Sequence, residues 1–314
     1  MVACSCSRMA AHPVDLEMEV TPADSDNGDL STGQLASIAC LLEVSAAKPG
    51  NVHRSADFAD MTFHDFQLSA VAVGPVLDRA CSEGVGAAVL GSIEATRRVT
   101  SANTNLGLVL LLAPLAAVRR DEPLSEGISG LLEKLTAEDA SRVYRAIRLA
   151  QPGGLGEVDE MDVNDEPPQQ LLTAMQQASD RDMIARQYSN NFQDVLEQFL
   201  PWLVEELSST RPVMESIVRL HVRIMAGFPD SLIARKCGRE TACQAASLAE
   251  QVLECQDARQ YQEKLSDLDF WLRSDHHKRN PGTTADLVGA TLFAALREGH
   301  LRVPLDTLDL AGVV

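Results

Sequence analysis

No stretch of this 314-residue chain alternates apolar and polar residues far enough to make a useful strand. Apolar residues recur instead at helical spacing, as at Ala36, Ile38, Leu41, Leu42 and Val44. Aromatic residues are only 4% of the chain, so the core must be packed from Leu, Ala, Val and Ile, and the β-branched and aromatic clusters that favour sheets are scarce. With 45% hydrophobic residues the chain has an ordinary globular share, and its length allows a large core. The expected fold is all-α, a single multi-helix domain with its polar loops gathered at one end.

Residues 1–29 mix Ser, Asp, Gly and Pro without periodicity and read as a disordered acidic leader. Residues 30–300 read as the helical domain and 301–314 as a C-terminal tail. Ser31-Thr32 is a plausible N-cap for the first helix, which Lys48-Pro49-Gly50 must stop. Further helices are expected over Asp57–Ala80, Gly86–Arg98 and Leu106–Arg119, the last apolar nearly all round, and over Ala137–Leu149 behind a Thr136 cap. Others are expected near 169–187, 189–207, 212–226, 239–254, 257–272 and 284–298. Pro152–Pro168, with its glycines, prolines and acids, reads as a long loop.

The formal charge of −18 disfavours nucleic acid, which needs a cationic field, and anionic membrane surfaces. The longest apolar run, Leu106–Val118, is interrupted by Pro114 and is shorter than the roughly 20 residues a membrane span needs. The N-terminus lacks an apolar signal core, and the cysteines at 4, 6, 40, 81, 237, 243 and 255 are scattered without a C-x-x-C pair. A soluble cytoplasmic protein with reduced thiols is expected.

Polar words interrupt this helical background: Lys48–Arg54 (K-P-G-N-V-H-R), Asp57–Phe66, Asn103–Gly107 (N-T-N-L-G), Pro152–Val158 and Asn280–Leu287 (N-P-G-T-T-A-D-L). Asp57, Asp60 and His64 stand at i, i+3 and i+7, which on a helix shares one face. Paired carboxylates at that spacing suit Mg²⁺, which takes one or two carboxylates with phosphate oxygens and waters; a solvated acidic face has the same spacing. Lys48, His53 and Arg54 beside a rigid turn suit phosphates, or serve a helix C-terminus. Asn103, Thr104 and Asn105 ahead of a buried helix suit an anion or sugar hydroxyls, and capping explains only one of them. Asp286 follows Pro281-Gly282 at a helix start. Arg97-Arg98, and Asp230 with Arg235 and Lys236, are further charged candidates at helix junctions. His221, on an apolar helix, reads as a core histidine, and His276-His277 as a metal candidate. No Walker, Rossmann, zincin or nucleophile-elbow motif is present.

In this order the words resemble the triphosphoribosyl-dephospho-CoA synthase family (ATP:dephospho-CoA triphosphoribosyl transferase), over roughly residues 35–298. Lys48-Pro49-Gly50, Asp60-Met61, His64, Asn103-Thr104 and Gly107 carry the likeness. So do Gly154 to Gly156, Asp230 with Arg235 and Gly238, Pro281-Gly282 and Ala285-Asp286-Leu287. The resemblance implies an all-helical enzyme that joins ribose C1 of ATP to the 2′-hydroxyl of dephospho-CoA, with Mg²⁺ on the triphosphate and adenine released. The product is a precursor of the prosthetic group of citrate lyase or malonate decarboxylase. On this reading Asp57 and Asp60 hold Mg²⁺, and Lys48, His53, Arg54, Asn103, Thr104, Asn105 and Asp286 meet phosphates and substrate. Asp60 and His64 are the expected catalytic groups. The chain departs from the family's N-T-H-K-G word at Asn105 and Leu106, and Thr62 replaces the second Asp of its D-M-D word. A related ribosyl transfer in methanopterin-type one-carbon cofactor assembly therefore stays open. So do a metal-dependent nucleotide or ribosyl hydrolase and a non-catalytic nucleotide-binding protein.

Overall fold

The computed structural model describes residues 27–151, 168–209 and 211–305. Among these residues there is no strand, only an isolated bridge between His53 and Ala56. The helices are α1 (Thr32–Ser45), α2 (Phe63–Leu77), α3 (Ala80–Glu83), α4 (Val85–Val99), α5 (Leu106–Ala117), α6 (Leu124–Leu132), α7 (Ala137–Ala150), α8 (Leu171–Ala178) and α9 (Met183–Ser189). A π-helical turn (Asp194–Phe199) leads into α10 (Leu200–Leu207), followed by α11 (Val213–Gly227), α12 (Ser231–Cys237), α13 (Arg239–Leu253), α14 (Ala258–Arg273) and α15 (Gly282–Arg297). No helix of the described residues is long and apolar enough to cross a membrane.

The all-α expectation holds. Two helices form the axis of the packing. α5 is buried from Leu108 to Ala117, and α15 is buried almost throughout from Leu287 to Leu296. Each fully buried Leu or Phe there contributes about 1.5–3 kcal/mol relative to an exposed one. α1, α2 and α4 pack on one side of this pair, and α10 and α11 on another. A second apolar cluster, with Val222, Met225, Ala245 and Leu272, joins α11, α13 and α14.

Local sequence explains most of the boundaries. Ser31, Thr62 and Thr136 each close a capping box, with Gln34, Asp65 and Asp139 respectively, and so start α1, α2 and α7. The second helix therefore begins at Phe63 rather than at Asp57. Asp57 to Met61 is a turn, tied by Phe58 N–H to the Met61 carbonyl at 2.9 Å. The expected helix over 169–187 is broken at Asp182, whose carboxylate caps α9 through Ile184 and Ala185. The one expected over 189–207 is broken by left-handed Asn191 and Phe192 (φ 55° and 59°) ahead of the π-helical turn.

The expected leader and tail meet inside the described residues. Asn27 opens a 3₁₀ turn, and its side-chain amide donates to the carbonyls of Leu296 (2.7 Å) and Leu301 (2.6 Å). Val303 N–H donates back to Asn27 Oδ1 at 3.0 Å. Order thus includes Asn27–Asp29 and Leu301–Leu305. The rest of the leader, the tail beyond 305 and the long-loop expectation at 152–167 lie outside the described residues.

Candidate functional site

The first and last polar words meet. Gly50 turns at φ 75°, where a Cβ would strike Pro281 and Leu272. Its N–H donates to Asp269 of α14 at 2.7 Å, and Arg273 of the same helix donates to the Asn51 carbonyl at 2.6 Å. Asn51 then donates to Asn280 Oδ1 at 2.7 Å. The third word enters beside them at the start of α5. Thr104 and Ser69 share a hydroxyl–hydroxyl bond of 2.6 Å, Asn105 donates to Thr96 at 3.0 Å, and Leu106 N–H reaches Asn103 Oδ1 at 3.4 Å. Gly107 faces the last word directly: any Cβ there would overlap Oδ2 of Asp286.

Between these breaks lies a cavity of about 880 Å³. Asp60, Asn103, Thr104, Asn105 and Asp286 line it, together with Asn51 and Asn280. Lys48, His53, Arg54, Asp57 and His64 do not. Lys48 is 0% exposed behind the wall. Its ammonium pairs with the Glu43 carboxylate at 2.9 Å and donates to the Glu43 carbonyl, and Glu43 is the residue that reaches the cavity. His53 sits in the buttressed turn, where burial first, then Arg273 and Lys48, push its pKa down to about 4. Arg54 lies exposed on that turn. Asp57 Oδ1 accepts from Phe63 N–H at 2.6 Å. His64 is exposed, its Nδ1 3.0 Å from Gln67 Oε1. The shared helix face of Asp57, Asp60 and His64 is thus absent, because the two acids precede α2. Among the described residues no group of three or more His, Cys, Asp and Glu side chains is placed to hold a metal ion.

The charge of the site comes from elsewhere. Burial first, then the negative charges of Glu43, Asp230 and Asp182, hold the Asp286 carboxyl well above its ordinary range, with Arg235 opposing. None of the described residues hydrogen-bonds to that carboxylate. Asp182 pairs with Arg235 at 2.7 Å. Arg235 and Lys236 lie on α12 and Arg181 just beyond α8, all on the cavity lining. The side chains of Arg181 and Lys236 have no ion-pair partner among the described residues. Asp230 itself is not on the lining. Its Oδ1 caps α12 through Leu232 and Ile233, and its Oδ2 accepts from Thr284 N–H and Oγ1 at the start of α15. Across the turn, Phe58 stacks on His277 with centroids 4.1 Å apart, next to Asp60.

Arg181, Asp182 and Glu43 escaped the sequence reading. Only Glu43 left a signal there, a charge set inside the apolar run Leu41-Leu42-Glu43-Val44. A buried acid on a helix requires a partner, and the nearest cation in the chain is Lys48.

Residues 30–304 match the family model CitG, ATP:dephospho-CoA triphosphoribosyl transferase. The chain belongs to this family. It is accordingly a transferase. A crystal structure of a protein assigned as a triphosphoribosyl-dephospho-CoA synthase from Archaeoglobus fulgidus is similar, with TM-score 0.59 and 26% identity. The match covers 74% of this chain and 98% of that one. No curated protein matches the sequence. Against the triphosphoribosyl transferase pattern, the departures have distinct places. Asn105 turns inward to Thr96, whereas Leu106 lines the cavity where the family's word has a Lys.

Proposed function

We propose that this transferase moves the 5′-triphosphoribosyl unit of ATP onto the 2′-hydroxyl of dephospho-CoA and releases adenine, in a cytoplasmic setting that its free thiols suit. The observation that carries the reading is the convergence of separate helix breaks on one cavity that holds both unpaired cations and an uncommitted acid.

Lys236 offers charge to the triphosphate, the first turn of α5 offers N–H groups, and Arg181 is a second unpaired cation on the same lining for the phosphates of the two substrates. As adenine leaves, positive charge develops at ribose C1, and the Glu43 carboxylate stands on the cavity wall to stabilise it. Asp60, on the same lining, is the group we assign to proton transfer with the acceptor hydroxyl or the departing base.

Mg²⁺ needs few protein ligands when phosphates supply the rest. Asp286 fits that need, since its carboxylate accepts no hydrogen bond from the described residues and its charge is disfavoured until a cation arrives. Asp57 fits it poorly, with Oδ1 already committed to Phe63 N–H. Bound at Asp286, Mg²⁺ would offset the charge of the triphosphate and orient it.

The test is adenine release from ATP, Mg²⁺ and dephospho-CoA, followed by chromatography. Asp286→Asn should lower kcat by at least about 100-fold while the far-UV circular dichroism stays native. Undiminished turnover would remove Asp286 from the site, and absence of adenine with every acceptor would sink the transfer itself. Leu106, apolar where the family has a cation, favours as second reading a different acceptor in methanopterin-type cofactor assembly. Acceptors of both kinds in the same assay separate the two readings.

A further inference from the structure

The two substrates of the proposed reaction look alike to most of the site. Each presents an adenosine carrying a chain of phosphates, so cations and helix N-termini alone give no reason for either to take its own place. What differs is the pantetheine arm of dephospho-CoA, a thin uncharged chain of methylenes, two amides and a gem-dimethyl group.

The cavity has a wall of matching chemistry. Tyr144 and Ile147 on α7 stand at i and i+3, and Leu171, Ala174, Met175 and Ala178 on α8 at i, i+3, i+4 and i+7. Each set is one helix face, and both line the same cavity as the polar breaks. None of these side chains carries a charge. Two of those on α8 are alanines, which leaves room along that helix. Arg181 lies three residues past Ala178, its N–H bonded to the Ala178 carbonyl at 3.0 Å, so an unpaired cation stands at one end of the apolar face. Ligand sites commonly combine such an apolar wall with a few placed polar groups.

We propose that the α7–α8 face is the acceptor's seat: the diphosphate of dephospho-CoA lies at Arg181, and its pantetheine arm runs along α8 from Ala178 toward Leu171. This rests on the transfer reading above. The seat makes dephospho-CoA the acceptor by holding a part that ATP lacks, and leaves the triphosphate of ATP to Lys236 and the first turn of α5. Specificity is then a difference between two ligands at one subsite.

ADP is dephospho-CoA without its arm, and calorimetric titration of the full chain with each measures the arm's share. Wild type should bind dephospho-CoA at least tenfold more tightly than ADP. Ala178→Phe should bring the two to within about twofold by weakening only dephospho-CoA, and Ala174→Phe serves as a second probe if the first fails to fold. Equal binding of both ligands by wild type, or a tenfold preference surviving both substitutions, would overturn the proposal. Preference without adenine release would keep the seat and discard the transfer. Adenine release with equal KM for ADP and dephospho-CoA as acceptors would do the opposite.

Discussion

Lys48 stands at the head of the most recognisable word in the chain, yet its charge is spent inside the protein. With its side chain fully buried against Glu43, it holds a cavity-wall carboxylate rather than a ligand. Removing one partner of a buried pair strands the other, which costs about 3–5 kcal/mol. Lys48→Met should therefore lower the unfolding free energy by about that much in urea titrations, and adding Glu43→Gln should restore most of it. A Lys48 that met phosphate would instead raise KM for ATP and leave the midpoint alone. Asp286 makes the opposite prediction. Its folded pKa lies above the ordinary value of 3.8, so its stabilising contribution is complete below that value and is lost as pH rises through the folded pKa. At pH 7.5 the empty protein carries that cost, and Asp286→Asn should raise its Tm even as it abolishes turnover. A lower Tm would mean the carboxylate is held by contacts that Asn cannot replace.

At the level of elements, the residues announced what capping chemistry decides and hid what long-range contacts decide. Thr136 with Asp139, and Ser31 with Gln34, are local pairs, and both helix starts were readable. The start of α2 was readable in the same way at Thr62 and Asp65, but the spacing of Asp57, Asp60 and His64 imitated a helix and drew the boundary too early. Nothing local says that Asp57 will instead take the Phe63 N–H. The site was legible in part for the same reason. Glycine, proline and asparagine mark the breaks, so Asp60, Asn103 and Asp286 could be picked out, and Arg235 and Lys236 stood out at a helix junction, whereas Arg181 enters the cavity only because α8 happens to end there. The break before α10 was invisible, because left-handed Asn191 and buried Phe192 are held by the packing around them. Asn191 is exposed, so glycine there should relieve its conformation; Asn191→Gly is expected to raise the unfolding free energy by about 0.5–1 kcal/mol by thermal melts, and a loss would show that its backbone is unstrained.

Seen whole, the molecule carries a formal charge of −18 but sets Arg181, Arg235 and Lys236 among the acids of the cavity lining, so an anionic ligand finds cations there that the acidic surface as a whole does not offer. The same global closure ties the start of the described chain to its end, since Asn27 serves Leu296, Leu301 and Val303 at once. Asn27→Ala leaves those backbone groups unpaired and should lower the unfolding free energy by about 2–4 kcal/mol in a single cooperative transition. A separate early transition confined to the C-terminal segment would show that this contact is peripheral.

Asp230 has a consequence that reaches beyond its own stability. One carboxylate fastens the first turns of two helices, α12 with Arg235 and Lys236, and α15 with Asp286. Burial raises its pKa against the pull of its four donors. Acid that protonates it should loosen the cationic arm and the acidic wall together, because both helix starts hang on the same two oxygens.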